Sequence, residues 1–561
     1  MRQLTASLAH CPTAPLPHCP TAPLPHWPTG PLAHCPTGQW CRIPAVLLHH
    51  RFFLTARRCW KQLAMADSTG PKLTYGRALT AVLLFARQIR QRTPGEEMVG
   101  LMLPASVGGA LANIATLAAG RIPVNLNFTA GSDSMAVAIE RCGIRTIITS
   151  RAFLEKVGIA DTPAMVFLED IRASITGADT AVAAAQARFT PMPLLRRWYG
   201  QTNDAGALAT VIFSSGSTGV PKGVMLTHAN ILGNIDGFAD LFPMSASDCF
   251  IGVLPFFHSF GLTGTLWFPL LMGCAVAYHP NPMDAKVVGE LAATYNGTML
   301  IATPTFANAY MRRCTREQFQ HMRHVVVGAE KLRQPLAEAF AQHFGVELTE
   351  GYGCTEMSPV ISVNFAHAGT PVPSKPGTVG RPVKGVFAKI VDQHTGEGPI
   401  VGREGLLLVQ GGCLMRGYLG EPERTAEVMR DGWYVTGDIA SIDEDGFITI
   451  TDRLSRFSKI GGEMVPHLRI EDAINEVLGE VCAAVTAVPD ASRGERVVAF
   501  YTKTDVPPAH VWEQLNQTAL PRLWLPRKDH VFPVASIPTL GSGKIDLHGL
   551  RQLALSRVAD L

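Results

Sequence analysis

Between Phe213 and Gly223 the chain reads Phe-Ser-Ser-Gly-Ser-Thr-Gly-Val-Pro-Lys-Gly. Glycines let backbone N–H groups converge on an anion, hydroxyls add donors, and Lys222 adds a positive charge. The chemistry this suits is the binding of a polyphosphate. The stretch is not a Walker A loop, which ends in Gly-Lys-Ser/Thr; here Pro221 precedes the lysine and Gly223 follows it. A plain Ser/Gly hairpin is the bland alternative. The flanks position the loop. Leu208 to Ile212 is an apolar, β-branched run that reads as a buried strand. Val224 to Leu226 is a second apolar run, and Thr227 is placed to cap a helix carrying Ile231 and Ile235.

Other stretches carry chemistry of their own. Leu348 to Glu356 ends a strand in a glycine-flanked turn holding Tyr352 and Glu356. A tyrosine there can stack on a flat base, and a carboxylate can take a hard cation such as Mg²⁺; an ordinary turn has the same pattern. Trp433 to Asp438 sets a carboxylate beside Gly437, suited to the two hydroxyls of a ribose. Ile251 to Gly261 couples a strand to His258, whose phenylalanine neighbours equally fit a packed core histidine. Lys544 sits on a Gly/Ser loop, Gly541 to Lys544, and takes meaning only from its company.

The elements that must hold these residues alternate. Strand-like Val99–Pro104, Ile122–Asn127, Thr146–Thr149, Met299–Pro304 and Val325–Glu330 are interleaved with helical stretches such as Gly108–Ala119, the pattern of an α/β fold with mostly parallel sheets. Short strands with turn signals dominate Gly377 to Thr451 and predict a β-rich subdomain. Pro191 to Ala205 reads as a connector. The polar run Asp452 to Arg456 marks a boundary, and a small α/β unit follows it, with a helix from Pro466, strands Ala483–Val488 and Val497–Tyr501, and a helix near Val511. The divisions expected are 1–44, 45–452 and 453–561.

Composition narrows the class. The 561 residues are 47% hydrophobic and 17% charged, with net charge +3, too small to point to a nucleic-acid partner. No apolar run is long enough to span a bilayer. Twelve scattered cysteines fit reduced thiols in a cytoplasmic enzyme rather than a disulfide framework. An eight-residue His/Cys/Pro repeat fills the first forty residues; its prolines predict a disordered, non-functional extension, and its cysteine spacing is too wide for a compact zinc site. No secretory h-region precedes the globular part. Phe52–Leu54 and Leu194–Tyr199 mix apolar and basic residues, which permits peripheral contact at an inner membrane, with buried packing as the competing fate.

Together, Ser214–Gly223, Leu254–Gly261, Tyr352–Glu356, Tyr434–Asp438 with Asp452–Arg453, and Gly541–Lys544 resemble the ordered motifs of the acyl-adenylate-forming family, the acyl-CoA synthetases, luciferases and adenylation domains. The resemblance runs from about Ala45 to the C-terminus. Gly120–Gly131, Leu254–Thr263 and Arg456–Val465 look most like the synthetase portion of bacterial acyl-ACP synthetase/2-acylglycerophosphoethanolamine acyltransferase proteins. The fold so implied is a large N-terminal domain of two α/β sheet subdomains and a β-rich subdomain, with a small mobile C-terminal α/β domain.

The resemblance also implies the chemistry. A fatty carboxylate attacks the α-phosphate of ATP, and a thiol then takes the acyl group. On that reading Ser214, Ser215, Gly216, Ser217, Thr218, Gly219 and Lys222 hold the phosphates, and Glu356 with Thr218 holds Mg²⁺. Tyr352 stacks on the base, with Gly328, Ala329 and Glu330 lining the same pocket, and Gly353 and Thr355 also bind the nucleotide. Asp438 takes the ribose with Arg453 nearby, and Lys544 bridges carboxylate and α-phosphate. Phe257 and His258 shape the acyl site, and Gly461–Gly462 admit a pantetheine arm. Relatives carry Asp at the hinge, where this chain has Ser455. The expected acceptor is acyl carrier protein, with CoA as the alternative and a non-catalytic carrier-protein or lipid-binding scaffold as a third reading. Arg453, Arg456, Lys459, Arg522, Arg527 and Lys528 are the basic residues that could face the acceptor. No His-x4-Asp acyltransferase block precedes the synthetase region, so lysophospholipid acylation would need a separate partner.

Overall fold

Six apolar runs, each bounded by turn residues, form the parallel heart of a nine-stranded sheet in the computed structural model. The structure describes residues 46–200, 202, 204–214, 221–365, 374–393, 395–460, 463–490, 492–539 and 545–559. The N-terminal repeat, most of the hydroxyl–glycine loop, Gly461–Gly462 and Leu540–Lys544 lie outside them.

The six parallel strands, in spatial order, are Leu348–Gly353, His324–Val327, Met299–Ala302, Cys249–Gly252, Ala275–Tyr278 and Leu63–Asp67. Both faces of the sheet are covered, so strands such as Cys249–Gly252 and Met299–Ala302 are buried at every position and read as continuous apolar runs rather than alternating ones. Parallel strands send all their C-terminal ends to one edge. The loops after Gly252, Ala302, Val327 and Gly353 therefore meet there, where α/β sheets gather their ligands.

A four-stranded parallel sheet, in the order Ile122–Asn125, Met98–Leu101, Ile147–Thr149 and Met165–Phe167, forms the second α/β unit. Beside it stands the hairpin of Leu208–Ser214 and Lys222–Thr227, tied across by the Thr210 hydroxyl, which donates to the Pro123 carbonyl at 2.8 Å. Thr227 caps the helix His228–Phe238 through a reciprocal box with Asn230. A short strand from far along the chain, Gly417–Tyr418, adds to the free edge of the hairpin.

Antiparallel strands between Val386 and Arg453 make the β-rich sheet. That sheet ends with Ile448–Arg453. The next strand, Phe457–Ile460, belongs to a separate sheet with Glu463–Pro466, Gly494–Tyr501, Ala483–Asp490 and Val531–Pro533. Two apolar cores built solely from residues beyond Phe457 cover this C-terminal sheet. The chain thus has a large N-terminal domain and a smaller C-terminal α/β domain, as the sequence leads one to expect.

The stretch Pro191–Ala205 departs from its reading as a plain connector. Met192–Trp198 is helical, and it follows the longer helix Gly177–Phe189. Pro191 and Pro193 disguise the helix in the sequence, yet a proline in the first turn gives up only an N–H that has no intrahelical partner. No helix among the described residues is long and apolar enough to cross a membrane.

Candidate active site

Ser214 and Lys222 face each other as the last pair of the hairpin, so the hydroxyl–glycine loop is launched from two paired strands. Ser215 to Val220 lie outside the described residues. Lys222 is half-buried, with its ammonium 5.1 Å from the centre of the Tyr418 ring. Burial lowers its pKa, and the nearby Glu356 carboxylate pulls the other way. Tyr418 turns its hydroxyl to Glu356 and donates to Oε1 at 2.8 Å. One aromatic side chain therefore touches both Lys222 and Glu356. The sequence reading missed Tyr418, because only the pairing of Tyr418 with Val224 brings it there.

At the C-terminal edge of the large sheet a cavity of about 130 Å³ opens, lined by His258, Thr303, Gly328, Ala329, Tyr352 and Thr355 among others. Ser259 and Thr355 join two of its loops through their hydroxyls at 3.2 Å. Ala329 holds a φ of +71°, a left-handed conformation uncommon for a residue with a Cβ. Such strain, at the mouth of a cavity, is the kind found where loops are held for binding. Gly353 has a different reason to be glycine: a Cβ there would stand 1.9 Å from the Pro359 carbonyl oxygen. The close return of the chain onto itself shapes this wall.

Tyr352, expected to present its ring to a base, lines the cavity and also donates its hydroxyl to Asp438. Asp438 in turn pairs with Arg453 Nε at 2.8 Å, and the two residues are direct cross-strand partners. Burial and the Asp438 charge push the Tyr352 phenol pKa up, while Asp438 raises that of Arg453. Tyr352 therefore stays a neutral donor and Arg453 a fixed cation. The residues assigned to base and to ribose form a single hydrogen-bonded unit.

Four of the expected residues have partners of their own. Glu330 does not line the cavity; it accepts from the Thr305 N–H at 3.2 Å and the Thr305 hydroxyl at 2.7 Å, next to the helix Pro304–Arg313. Phe257 is buried against Phe128, ring centres 5.1 Å apart, and is not one of the lining side chains. Arg453 is exposed but paired with Asp438, and Arg456 pairs with the buried Glu471. The other assigned residues, Thr218, Gly461, Gly462 and Lys544 with the rest of the loop, lie outside the described residues.

The two domains touch close to this site. Asp472, on the helix His467–Leu478, meets Arg333 Nη2 at 3.0 Å and Lys331 Nζ at 3.5 Å. Those two cations follow directly on Gly328–Glu330 in the chain. Arg469 of the same helix approaches Glu404, just ahead of the strand Gly405–Gly411 of the β-rich sheet, at 4.0 Å.

Residues 52–419 match the AMP-binding enzyme family. The chain belongs to that family. Among curated proteins, this AMP-binding enzyme is similar to a long-chain-fatty-acid–CoA ligase of Bacillus subtilis, 33% identical over 302 residues. That match covers 52% of this chain and 52% of the ligase, so the chain spans about half the length of that relative. It is also similar to 4-coumarate–CoA ligase 5 of Oryza sativa, 30% identical over 462 residues, covering 81% of this chain and 84% of the other. Among solved structures, ATP-bound MatB from Rhodopseudomonas palustris superposes with a TM-score of 0.75 at 26% identity, covering 90% of this chain and 98% of MatB. The adenylate-forming α/β architecture expected from the sequence is therefore the fold of this enzyme.

Proposed function

We propose that the enzyme is an AMP-forming acid–thiol ligase. A fatty carboxylate displaces pyrophosphate from ATP to give an acyl-adenylate, and a thiol then displaces AMP to give the thioester. One observation carries the reading: the unit Tyr352–Asp438–Arg453 reaches the cavity at the C-terminal edge of the parallel sheet through Tyr352, and the unit Lys222–Tyr418–Glu356 ends at Glu356, next in the chain to Thr355 of the same cavity wall. A carboxylate attacking an anionic phosphate needs positioning and charge cancellation above all. The first unit offers a buried carboxylate for ribose hydroxyls, and the second offers a cation for phosphate oxygens.

The residues present also fit Mg²⁺. Among the described residues no cluster of three or more His, Cys, Asp or Glu side chains could hold a metal. Glu356 supplies a hard, buried carboxylate oxygen. Mg²⁺ is commonly held by one or two carboxylates, with phosphates and water completing its shell. Glu356 would hold it, with Thr218 as a second oxygen, and the ion would neutralise phosphate charge.

For the acceptor, the names of the similar ligases favour CoA over the acyl carrier protein that the sequence stretches around Arg456–Val465 suggest. Both end in pantetheine, so the same thiol chemistry serves either. Purified enzyme given palmitate, ATP and Mg²⁺ should release pyrophosphate, and with equal CoA and carrier protein present should form mainly palmitoyl-CoA by mass spectrometry. Thioester on the carrier protein alone would overturn the CoA reading, and the absence of acid-dependent pyrophosphate release would overturn the ligase reading.

The contact of Asp472 with Lys331 and Arg333 ties the C-terminal domain to the loop that lines the cavity. Partly exposed ion pairs contribute about 0–1 kcal/mol. Asp472→Ala should therefore raise KM for ATP by up to about fivefold with little change in unfolding temperature. Salt screens such pairs, so the difference from wild type should shrink as ionic strength rises. A variant indistinguishable from wild type at low salt would remove the contact from the mechanism.

A further inference from the structure

The helices Gly177–Phe189 and Met192–Trp198 leave an apolar surface without a cover. In the first helix, Ala183 and Ala187 are buried, which marks the inner face. The opposite stripe is Ala178, Val182, Ala185 and Phe189, at helical spacing, and all four are exposed. Phe189 is 79% exposed and Val182 50%. A surface helix normally turns a polar face outward; one that is apolar on both sides has a partner for its second side.

The patch continues beyond that helix. In the next one Leu195 is buried, while Leu194 and Trp198 face outward, Trp198 at 42%. Leu54 on the helix Leu48–Arg58 is 41% exposed. Its neighbour one turn on, Arg57, donates to the carbonyls of Gln186, Ala187 and Thr190, which fixes Leu54 beside the corner between the two helices.

The charges on this surface have one sign. From Thr180 to Trp198 there are three arginines and no carboxylate. Arg188 and Arg197 are exposed, and Arg188 lies over the Trp60 ring, 5.2 Å from its centre. The nearest acid along the helix, Asp179, is occupied in the capping box with Thr176. Large apolar side chains with a tryptophan, interleaved with arginines, are the composition of helices that lie in the interface of an anionic bilayer.

We propose that this face, centred on Phe189 and Trp198, docks the enzyme on an anionic lipid surface. The binding is independent of the ligase reading, since it needs neither ATP nor acid. It would place the enzyme where fatty acids partition.

The test is co-sedimentation of the full chain with vesicles, without substrates. Wild type should sediment with vesicles of equal parts phosphatidylglycerol and phosphatidylcholine, and far less with phosphatidylcholine alone. The Phe189→Glu/Trp198→Glu double variant should lose at least about tenfold in partitioning. Arg188→Gln and Arg197→Gln should each lose about fivefold, and only on the anionic vesicles. Circular dichroism confirms folding, and Phe189→Ser alone carries the comparison if the double variant is recovered unfolded. Pyrophosphate release in detergent-free buffer should be unchanged in every variant. Equal binding to both vesicle types, or binding insensitive to these substitutions, overturns the proposal. So does a concentration-dependent dimer by light scattering that the double variant disperses while vesicles stay unbound, which would make the face a contact between copies.

Discussion

Lys544→Ala should slow acyl-adenylate formation by roughly 10²–10³-fold, the usual cost of deleting an aimed charge or donor at a developing anionic centre. In the proposed reaction a carboxylate meets a phosphorus ringed by oxygens, and the two repel until a cation lies between them. Lys544 itself lies outside the described residues, but its surroundings are tethered. Thr539 and Ile545 form an antiparallel bridge, and the Asp546 N–H donates to the Pro538 carbonyl at 2.9 Å. Asp546 also accepts from the Gly549 N–H at 3.1 Å, at the start of the helix Leu547–Ala559. In the sequence Lys544 directly precedes this paired segment. Two assays separate its role from a folding defect. Acid-dependent pyrophosphate release should fall by the full factor, while thiolysis of supplied acyl-adenylate should fall little. A variant that forms adenylate at the wild-type rate would remove Lys544 from the first step, and with it the need for the C-terminal domain to approach the nucleotide.

Asp438→Ala should lower kcat/KM for ATP by about 10²-fold, consistent with the 2–5 kcal/mol lost when one partner of a buried charged pair is truncated. The carboxylate is buried, accepts from Tyr352 and is paired with Arg453 at 2.8 Å. Removing it takes away the proposed ribose acceptor and also leaves two donors without their partner, Arg453 being half-exposed and so partly rescued by water. Stability should fall by about 2 kcal/mol, the range for hydrogen bonds to charged groups. Tyr352→Phe is the informative companion. It keeps the ring on the cavity wall and deletes only the donated hydrogen bond, so it should cost no more than about tenfold. Equal losses in the two variants would mean that Asp438 acts solely by anchoring Tyr352, and the ribose assignment would fail. ATP affinity by calorimetry, run beside thermal unfolding, gives both quantities.

The coupling between these residues shows where one-dimensional reading stops. Asp438 and Tyr352 were each legible as nucleotide-binding candidates, from a glycine neighbour and a strand-ending turn. That they share a hydrogen bond depends on the β-rich sheet bringing residue 438 to the edge of the large sheet. The resemblance assigned Glu330 to the nucleotide pocket and Phe257 to the acyl site. The chain turns at Ala329, whose φ is +71°, so Gly328 and Ala329 line the wall while Glu330 turns to Thr305. Arg456 looked like surface charge, since nothing near it in the chain announces that Glu471, fifteen residues on, would be buried against it.

What the chain determined alone was local. Apolar runs of four to six residues made the strands, Thr227 with Asn230 started its helix, and glycines with hydroxyls and a lysine marked the loop between Ser214 and Lys222. These follow from backbone sterics and nearest-neighbour hydrogen bonds, which act within a few residues. Tertiary structure alone decided that Tyr418 spans Lys222 and Glu356, that Asp472 grips the cavity loop, and that a helix rich in alanine keeps an apolar face outward. Each depends on contacts across tens to hundreds of residues, where packing of whole sheets, not local preference, fixes which side chains meet.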